Sequence, residues 1–352
     1  MITVNQALDH LFALADLLPI ETVPLRAAAG RVLAEPVAAR RTQPPFAASS
    51  MDGYALKGVE ADLHAQFKVV GESAAGSRWD GTLKPGQAVR IFTGAPVPDG
   101  ADKIVIQEDV TRSGDMISIT DDPGPKDNIR SAGVDFTEGM VLDAPRRLSP
   151  ADVALLASMN IPQVPVRRAP VVALISTGDE LVVPGETPGP DQIIASNTYG
   201  LAAMLERMGA VPRILPIARD TIPSLTAVLG LAQGADLVVT IGGASVGDHD
   251  LVAQVAADLG MERSFYKVAM RPGKPLMAGR LNGTPMVGLP GNPVSAMVCG
   301  TVFLHPLLFA MQGLGQAPAP RQTLPLAADL PANGPREHYM RCLLYTSDAA
   351  DE

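Results

Sequence analysis

The stretch from Asp236 to Ser295 limits what this chain can fold into more than any other. An apolar run, Leu237 to Ile241, ends in Gly242 and Gly243; a short loop containing Ser245 follows, then Asp248, His249 and Asp250, then a helical pattern. A strand that breaks into a glycine turn and opens a helix lets the backbone approach a ligand closely and aims amide N–H groups at an anion. Gly242, Gly243 and Ser245 are therefore candidate binding residues. Two more loops of this kind follow. RPGKP carries Arg271 and Lys274, with Lys267 just upstream, and LPGNPVS opens a helix with Asn292 and Ser295 near its start. Three anion-friendly loops in one segment predict a pocket for phosphate or another oxyanion.

From Val171 onward strand and helix patterns alternate. VVALIST, VPRILPIA and DLVVTIGG read as strands; Asn197 to Met208, Ile222 to Gln233 and Leu251 to Leu259 read as helices. PLMAGRL and PMVGL flank Asn282-Gly283, a strong hairpin turn, and Asn292 to Met311 reads as one long helix. The expectation is an open, mostly parallel αβα sheet whose functional loops lie at the carboxyl ends of strands. TGDEL, ARD and GGASVGDHD all fall at such ends.

The first half reads differently. Val4, Leu8, Leu11, Ala15 and Leu18 share one helical face, with Pro19 as the predicted stop. A proline-punctuated, strand-like connector follows, and from about Phe46 to Leu142 only short strands and turns fit, as in KVVGES, AVRIFTG, KIVIQEDV and MISITD. Ser149-Pro150 with Asp152 is a capping-box start, and IPQVPVRRAP reads as a proline-rich linker. Composition excludes several functions. The net charge of −9 argues against a general nucleic-acid or anionic-membrane binder, so an anionic ligand needs a local basic patch. Charges and prolines are expected to keep every apolar run short of a membrane span. The N-terminus has neither a basic leader nor a small-residue cleavage site, so no secretory signal is expected. Cys299 and Cys342 form no CxxC and suit free thiols in a reducing cytoplasm.

The motifs STGDEL, GGASVGDHD, VAMRPGKP and GLPGNPVS, together with SSMDGYAL, RIFTGAPVPDGADKIVIQED and NIRSAGVDF, occur in one order along residues 1 to 341. In that order they resemble the molybdopterin molybdenumtransferase family, the MoeA type, related to the gephyrin E domain. The resemblance implies an α/β multidomain chain. An elongated linking domain would take residues 1–45 and 143–168, and a small β-rich domain residues 46–142. A molybdopterin-binding-like αβ domain would take residues 169–313 and part of a C-terminal β-barrel residues 320–344, with 345–352 a tail of unknown origin. With the barrel incomplete, weaker turnover is expected. The resemblance further implies a cytoplasmic homodimer whose cleft uses both subunits, and partners that pass the cofactor along its synthesis. The implied reaction inserts molybdate into adenylylated molybdopterin and releases AMP with magnesium. Two other readings share parts of this pattern: a molybdopterin adenylyltransferase, and a non-catalytic gephyrin-like scaffold. The extra N-terminal motifs weigh against the first and the retained acids against the second.

Breaking a phosphoanhydride calls for charge neutralisation and a positioned metal. By resemblance Glu180, Asp220 and Asp250 match the family's functional acids, with Glu180 and Asp250 expected near the phosphates or the Mg2+ and Asp220 positioning the substrate. N-capping of a helix is the ordinary alternative for acids at loop–helix junctions. Molybdate, a tetrahedral dianion, asks for cations and helix N–H groups, which Lys267, Arg271, Lys274, Asn292 and Ser295 could supply. At Arg271 the family often has lysine, so a forked guanidinium replaces a point charge. Asp52, Thr93, Arg130 and Asp135 fall on the family's N-terminal functional positions, as the partner subunit's share of the cleft. Arg130 could meet substrate phosphate or merely pair with Asp135. All these groups are expected to converge on one doubly anionic cleft.

Overall fold

The computed structural model describes residues 1–243, 251–326 and 329–340. Helix α1 (Val4–Leu14) opens with Thr3, whose hydroxyl accepts the Gln6 N–H while Gln6 reaches back to the Thr3 amide. Such a cap is worth about 1 kcal/mol. The helix stops at Leu14, well before Pro19, because Ala15 turns extended. That turn lets the Leu18 N–H reach the Met311 carbonyl, and Leu18 is still buried.

The connector and the supposed linker form one sheet. Ile20–Pro24 pairs antiparallel with Gln163–Arg167, which also meets Val32–Leu33, and Arg146–Arg147 closes the edge. IPQVPVRRAP is thus a strand rather than a linker: Val164 and Val166 alternate into the core, and that burial overrides the prolines. Helix α2 (Pro150–Ser158) covers this sheet and starts with the predicted capping box at Ser149 and Asp152. Between these segments lies a six-stranded, mostly antiparallel sheet with Gly53–Leu56 between Gln87–Ile91 and Lys103–Ile106. Its core holds Leu56, Phe67, Val89 and Ile117.

The second half holds a six-stranded mixed sheet. Its strands are β1 (Val171–Ser176), β2 (Val211–Ile214), β3 (Leu237–Ile241), β4 (Met261–Tyr266), β5 (Met277–Leu281) and β6 (Thr284–Leu289), in the order β2-β1-β3-β6-β5-β4. The four strands from β2 to β6 are parallel; β5 pairs antiparallel with β6 across the Asn282-Gly283 turn, and β4 antiparallel with β5. Asn282 and Gly283 both take positive φ, as a tight right-twisted hairpin requires. Helices α3 (Ser196–Arg207), α4 (Ile222–Gly230), α5 (Leu251–Asp258) and α6 (Pro293–Cys299) cover the sheet, and β3 and, after Val171, β1 are fully buried runs, covered on both faces.

The long final helix is not uniform. After α6 a π-helical segment, Gly300–Leu304, precedes α7 (His305–Met311). Pro306 cannot donate to the preceding turn, and a Cβ on Gly300 would sit 2.8 Å from Met204 Sδ. Contrary to expectation, Pro293–Met311 is long and apolar enough by composition to cross a membrane, with mean hydropathy 1.8. Most of it is packed inside the molecule against α1, α3 and the sheet, as a core helix would be. Cys299 in this helix is buried and its thiol pushed up to about 12, so it is inert packing; Cys342 lies outside the described residues.

Candidate functional site

The carboxyl edge of the parallel strands carries a pocket of about 260 Å3, lined among others by Thr177, Glu180, Asp220, Gly242, Gly243 and Gly291. Each loop is shaped for close approach. Gly178 has φ +148°, a backbone that favours glycine, and Glu180 folds back so that its carboxylate would stand 2.2 Å from a Cβ there. Gly242 and Gly243 both take positive φ; a Cβ on Gly243 would stand 2.9 Å from Thr177 Oγ1 and 2.2 Å from a Val252 methyl. Asn197 on α3 donates to the Gly291 carbonyl at 2.7 Å, joining the first helix of the sheet to the LPGN loop.

Asp220 is not a helix cap: Thr221 caps α4. The Asp220 amide donates to Asp179 Oδ1 at 3.2 Å, and Arg219 donates to the Asp179 carbonyl at 2.9 Å. Burial pushes the Asp220 carboxyl up, and the nearby charges of Asp179 and Glu180 push it further. Asn292, by contrast, does cap α6, accepting the Ser295 N–H at 3.2 Å, and Ser295 is buried. Both are accounted for by capping. Ser245, Asp248 and Asp250 lie outside the described residues.

The expected convergence of cations on these acids does not occur within the described residues: none of Lys267, Arg271 and Lys274 lines the acid pocket. Register explains why. Tyr266, Met277, Gly288, Thr240 and Ile175 form one row across the sheet, so Lys267 leaves β4 on the same edge as the acid loops. However, β4 stands three strands from β3, roughly 14 Å at the usual strand spacing. The Lys267 ammonium lies 4.8 Å over the Tyr266 ring, and Arg271 lines a different cavity, with Arg336 and His338. Met270–Arg271 also pairs with Glu337–His338, a short strand within residues 320–344 where part of a β-barrel is expected.

The N-terminal candidates do converge, from three separate motifs. Thr93, Arg130 and Asp135 line a second cavity of about 350 Å3, with Ser50 and Gly94. Asp52 stands beside it, its Oδ1 accepting the Thr93 N–H at 2.7 Å and the Thr93 hydroxyl at 2.8 Å. These two bonds hold the Asp52 carboxyl below the usual carboxylate range. Arg130 pairs with Asp135, the second of the alternatives left open by the sequence. The short ladder of Ile129–Arg130 with Ala48–Ser49 brings these loops together. No residue lines both cavities among those described.

Sequence reasoning missed Thr177 and the first turn of α3, both on the acid pocket. Thr177 stood in the STGDEL motif, so the motif carried the signal; nothing marked Ser196 or Asn197, because their place depends on the sheet order. Among the described residues no three acids, histidines or cysteines group closely enough to cage a metal. Glu180 and Asp220, in a pocket whose described lining has no basic side chain, still fit a divalent ion, of the kind held by one or two carboxylates together with phosphate oxygens and water.

Comparison with known proteins places these features. Residues 2–160 match the model of the MoeA N-terminal region (domain I and II), and residues 173–310 match that of a "Probable molybdopterin binding domain". The chain is 38% identical to a molybdopterin molybdenumtransferase of Nostoc sp., over 94% of this chain and 79% of that one. It is 36% identical to the one of Haemophilus influenzae, over 90% and 79%. The solved molybdopterin biosynthesis moeA protein of Pyrococcus horikoshii superposes with a TM-score of 0.74 at 28% identity, covering 89% of this chain and 80% of that one.

Proposed function

This chain belongs to the molybdopterin molybdenumtransferase family, transferases of molybdenum cofactor biosynthesis, and from that premise we propose that it inserts molybdate into adenylylated molybdopterin and releases AMP. The observation that carries the proposal is the sorting of the family-matched residues into two cavities. Glu180, Asp220 and the glycine turn line one, and Asp52, Thr93, Arg130 and Asp135 surround the other. At about 260 Å3 the acid pocket falls below the ~300–1,000 Å3 of pockets that enclose drug-sized ligands. A nucleotide joined to a pterin needs more wall than that. In a symmetric homodimer the second cavity of one copy completes the acid pocket of the other.

In this reading the glycine turn brings backbone amides against the substrate. Asp220, held by Asp179, orients it by hydrogen bonding. Glu180, with Asp250, would hold a magnesium ion, which when bound neutralises charge on the phosphoanhydride oxygens. Lys267, Arg271 and Lys274 supply positive charge on the same sheet edge for the molybdate dianion. Asp52, held ionised by Thr93, offers a fixed acceptor, and Arg130 can trade Asp135 for a substrate oxyanion. The work takes place in the cytoplasm, where cofactor assembly keeps its thiols reduced.

The test supplies adenylylated molybdopterin, molybdate and magnesium to the parent and to Glu180→Ala and measures released AMP. The parent releases AMP with molybdate uptake and the variant does not. Release at the parent rate by the variant, or adenylylated product from ATP and molybdopterin by the parent, contradicts the assignment.

A further inference from the structure

The acid pocket presents an electrostatic problem that the reading above leaves open. Its described lining carries two carboxylates, Glu180 and Asp220, and no lysine or arginine. A phosphate seated there must find its donors elsewhere. Helix α3 begins on this pocket, with Ala195, Ser196 and Asn197 in the lining. It spans 12 residues, and its N-cap position is Ala195, which can offer no side-chain cap. The side chains of its first turn are engaged away from their own amides: Asn197 donates to the Gly291 carbonyl, and Thr198 bonds to Ser176. The opening amides of α3 are thus left with the positive end of the helix dipole and no protein cap.

A second observation is independent of the helix. Thr177 lines the same pocket, is 3% exposed, and its Oγ1 has no hydrogen-bond partner among the described residues. A buried hydroxyl left unpaired destabilises the empty protein, and such groups are rare enough to need a reason. A ligand oxygen that seats beside the Gly242–Gly243 turn supplies one.

We propose that the α3 N-terminus and the Thr177 hydroxyl form the subsite for a phosphate group of the substrate and of the AMP it releases, held by neutral donors instead of by the Lys267–Lys274 loop. The inference rests on the reading of this pocket as the nucleotide-bearing substrate's site, and it assigns Thr177, Ser196 and Asn197, which that reading does not use. Neutral donors suit a pocket that must also keep acids for a divalent ion, since a lysine there would pair with Glu180 and take the ion's place. Helix amides accept phosphate without that conflict.

Titration calorimetry of the full chain with AMP, adenosine and inorganic phosphate tests this. The variants are Thr177→Val, which keeps shape and removes the hydroxyl, Thr177→Ser, which restores it, and Ala195→Asp, which places a carboxylate cap on α3. Thr177→Val weakens AMP and phosphate about ten-fold without lowering Tm, because the lost hydroxyl had no partner; Thr177→Ser binds like the parent. Ala195→Asp weakens both by about ten-fold or more, through competition and repulsion, and leaves adenosine unchanged. A merely structural role for Thr177 would instead lower Tm and spare affinity. Parent-like AMP and phosphate binding by both Thr177→Val and Ala195→Asp overturns the subsite while the family's reaction stands. Phosphate binding that depends on α3, with AMP binding no tighter than phosphate, upholds the subsite and assigns it to a phosphate other than the nucleotide's. If the parent binds neither AMP nor phosphate, the subsite is wrong.

Discussion

The two cavities hold similar residue types in opposite states. Around Asp52 every charged group already has a partner: Asp52 accepts from Thr93, and Arg130 pairs with Asp135. In the acid pocket the groups are uncompensated. Asp220 is crowded by Asp179 and Glu180, and among the described residues Thr177 Oγ1 has no partner and α3 no side-chain cap. The Asp52 cavity is satisfied without a ligand; the acid pocket is built to be completed by one. A residue's identity therefore says less about its role than whether the protein itself satisfies it.

The comparison can be broken first by removing an uncompensated group. Glu180→Ala should cut AMP release about 100-fold or more, with Tm nearly unchanged because the side chain is exposed. An effect on Tm instead of rate would make Glu180 structural. Next comes the floor of the pocket. Gly243→Ala meets Val252 at 2.2 Å in a left-handed backbone, and should lower stability by about 2–4 kcal/mol, read by urea denaturation. A parent-like midpoint would mean the turn can relax.

On the satisfied side the effects should be smaller. Thr93→Val removes one of the two bonds that hold Asp52 ionised. The Asp52 carboxyl then rises toward its ordinary value, and the acidic limb of the pH–rate profile moves to higher pH. An unmoved limb would exclude Asp52 from the reacting state. The smallest expected effect lies away from both cavities. Burial, then the nearby Arg147 charge, holds the His305 imidazolium below its ordinary 6.5. The unfolded chain thus binds the proton more readily, so the contribution of His305 is fully present above about pH 6.5 and is lost as pH falls through the lower folded value. His305→Asn should flatten that slope in Tm against pH; an unchanged slope would assign it to other groups.

Much of this was legible in the sequence, and the misses share a cause. Gly242-Gly243, the Ser149–Asp152 capping box and Asn282-Gly283 are local signals, and local geometry follows from them. The four N-terminal candidates were placed by motif, and they do meet around one cavity. What the sequence could not give was lateral distance. Lys267 and Glu180 both sit at strand ends on one edge, but the order β2-β1-β3-β6-β5-β4 sets them apart, and strand order is a property of the whole chain. Likewise, the prolines of IPQVPVRRAP suggested a linker until Val164 and Val166 found a core to enter. The vacant cap on α3 matters only because the sheet brings that helix to the acid pocket.

The central claim is that a working site joins the acid pocket of one copy to the Asp52 cavity of another. Mixing inactive Asp52→Ala with inactive Glu180→Ala after dissociation and reassociation measures it directly. In a two-fold dimer half of the molecules become mixed, and each carries one intact site, so AMP release should return to roughly one quarter of the parent rate. A mixture that dimerises yet stays inactive would contradict the account.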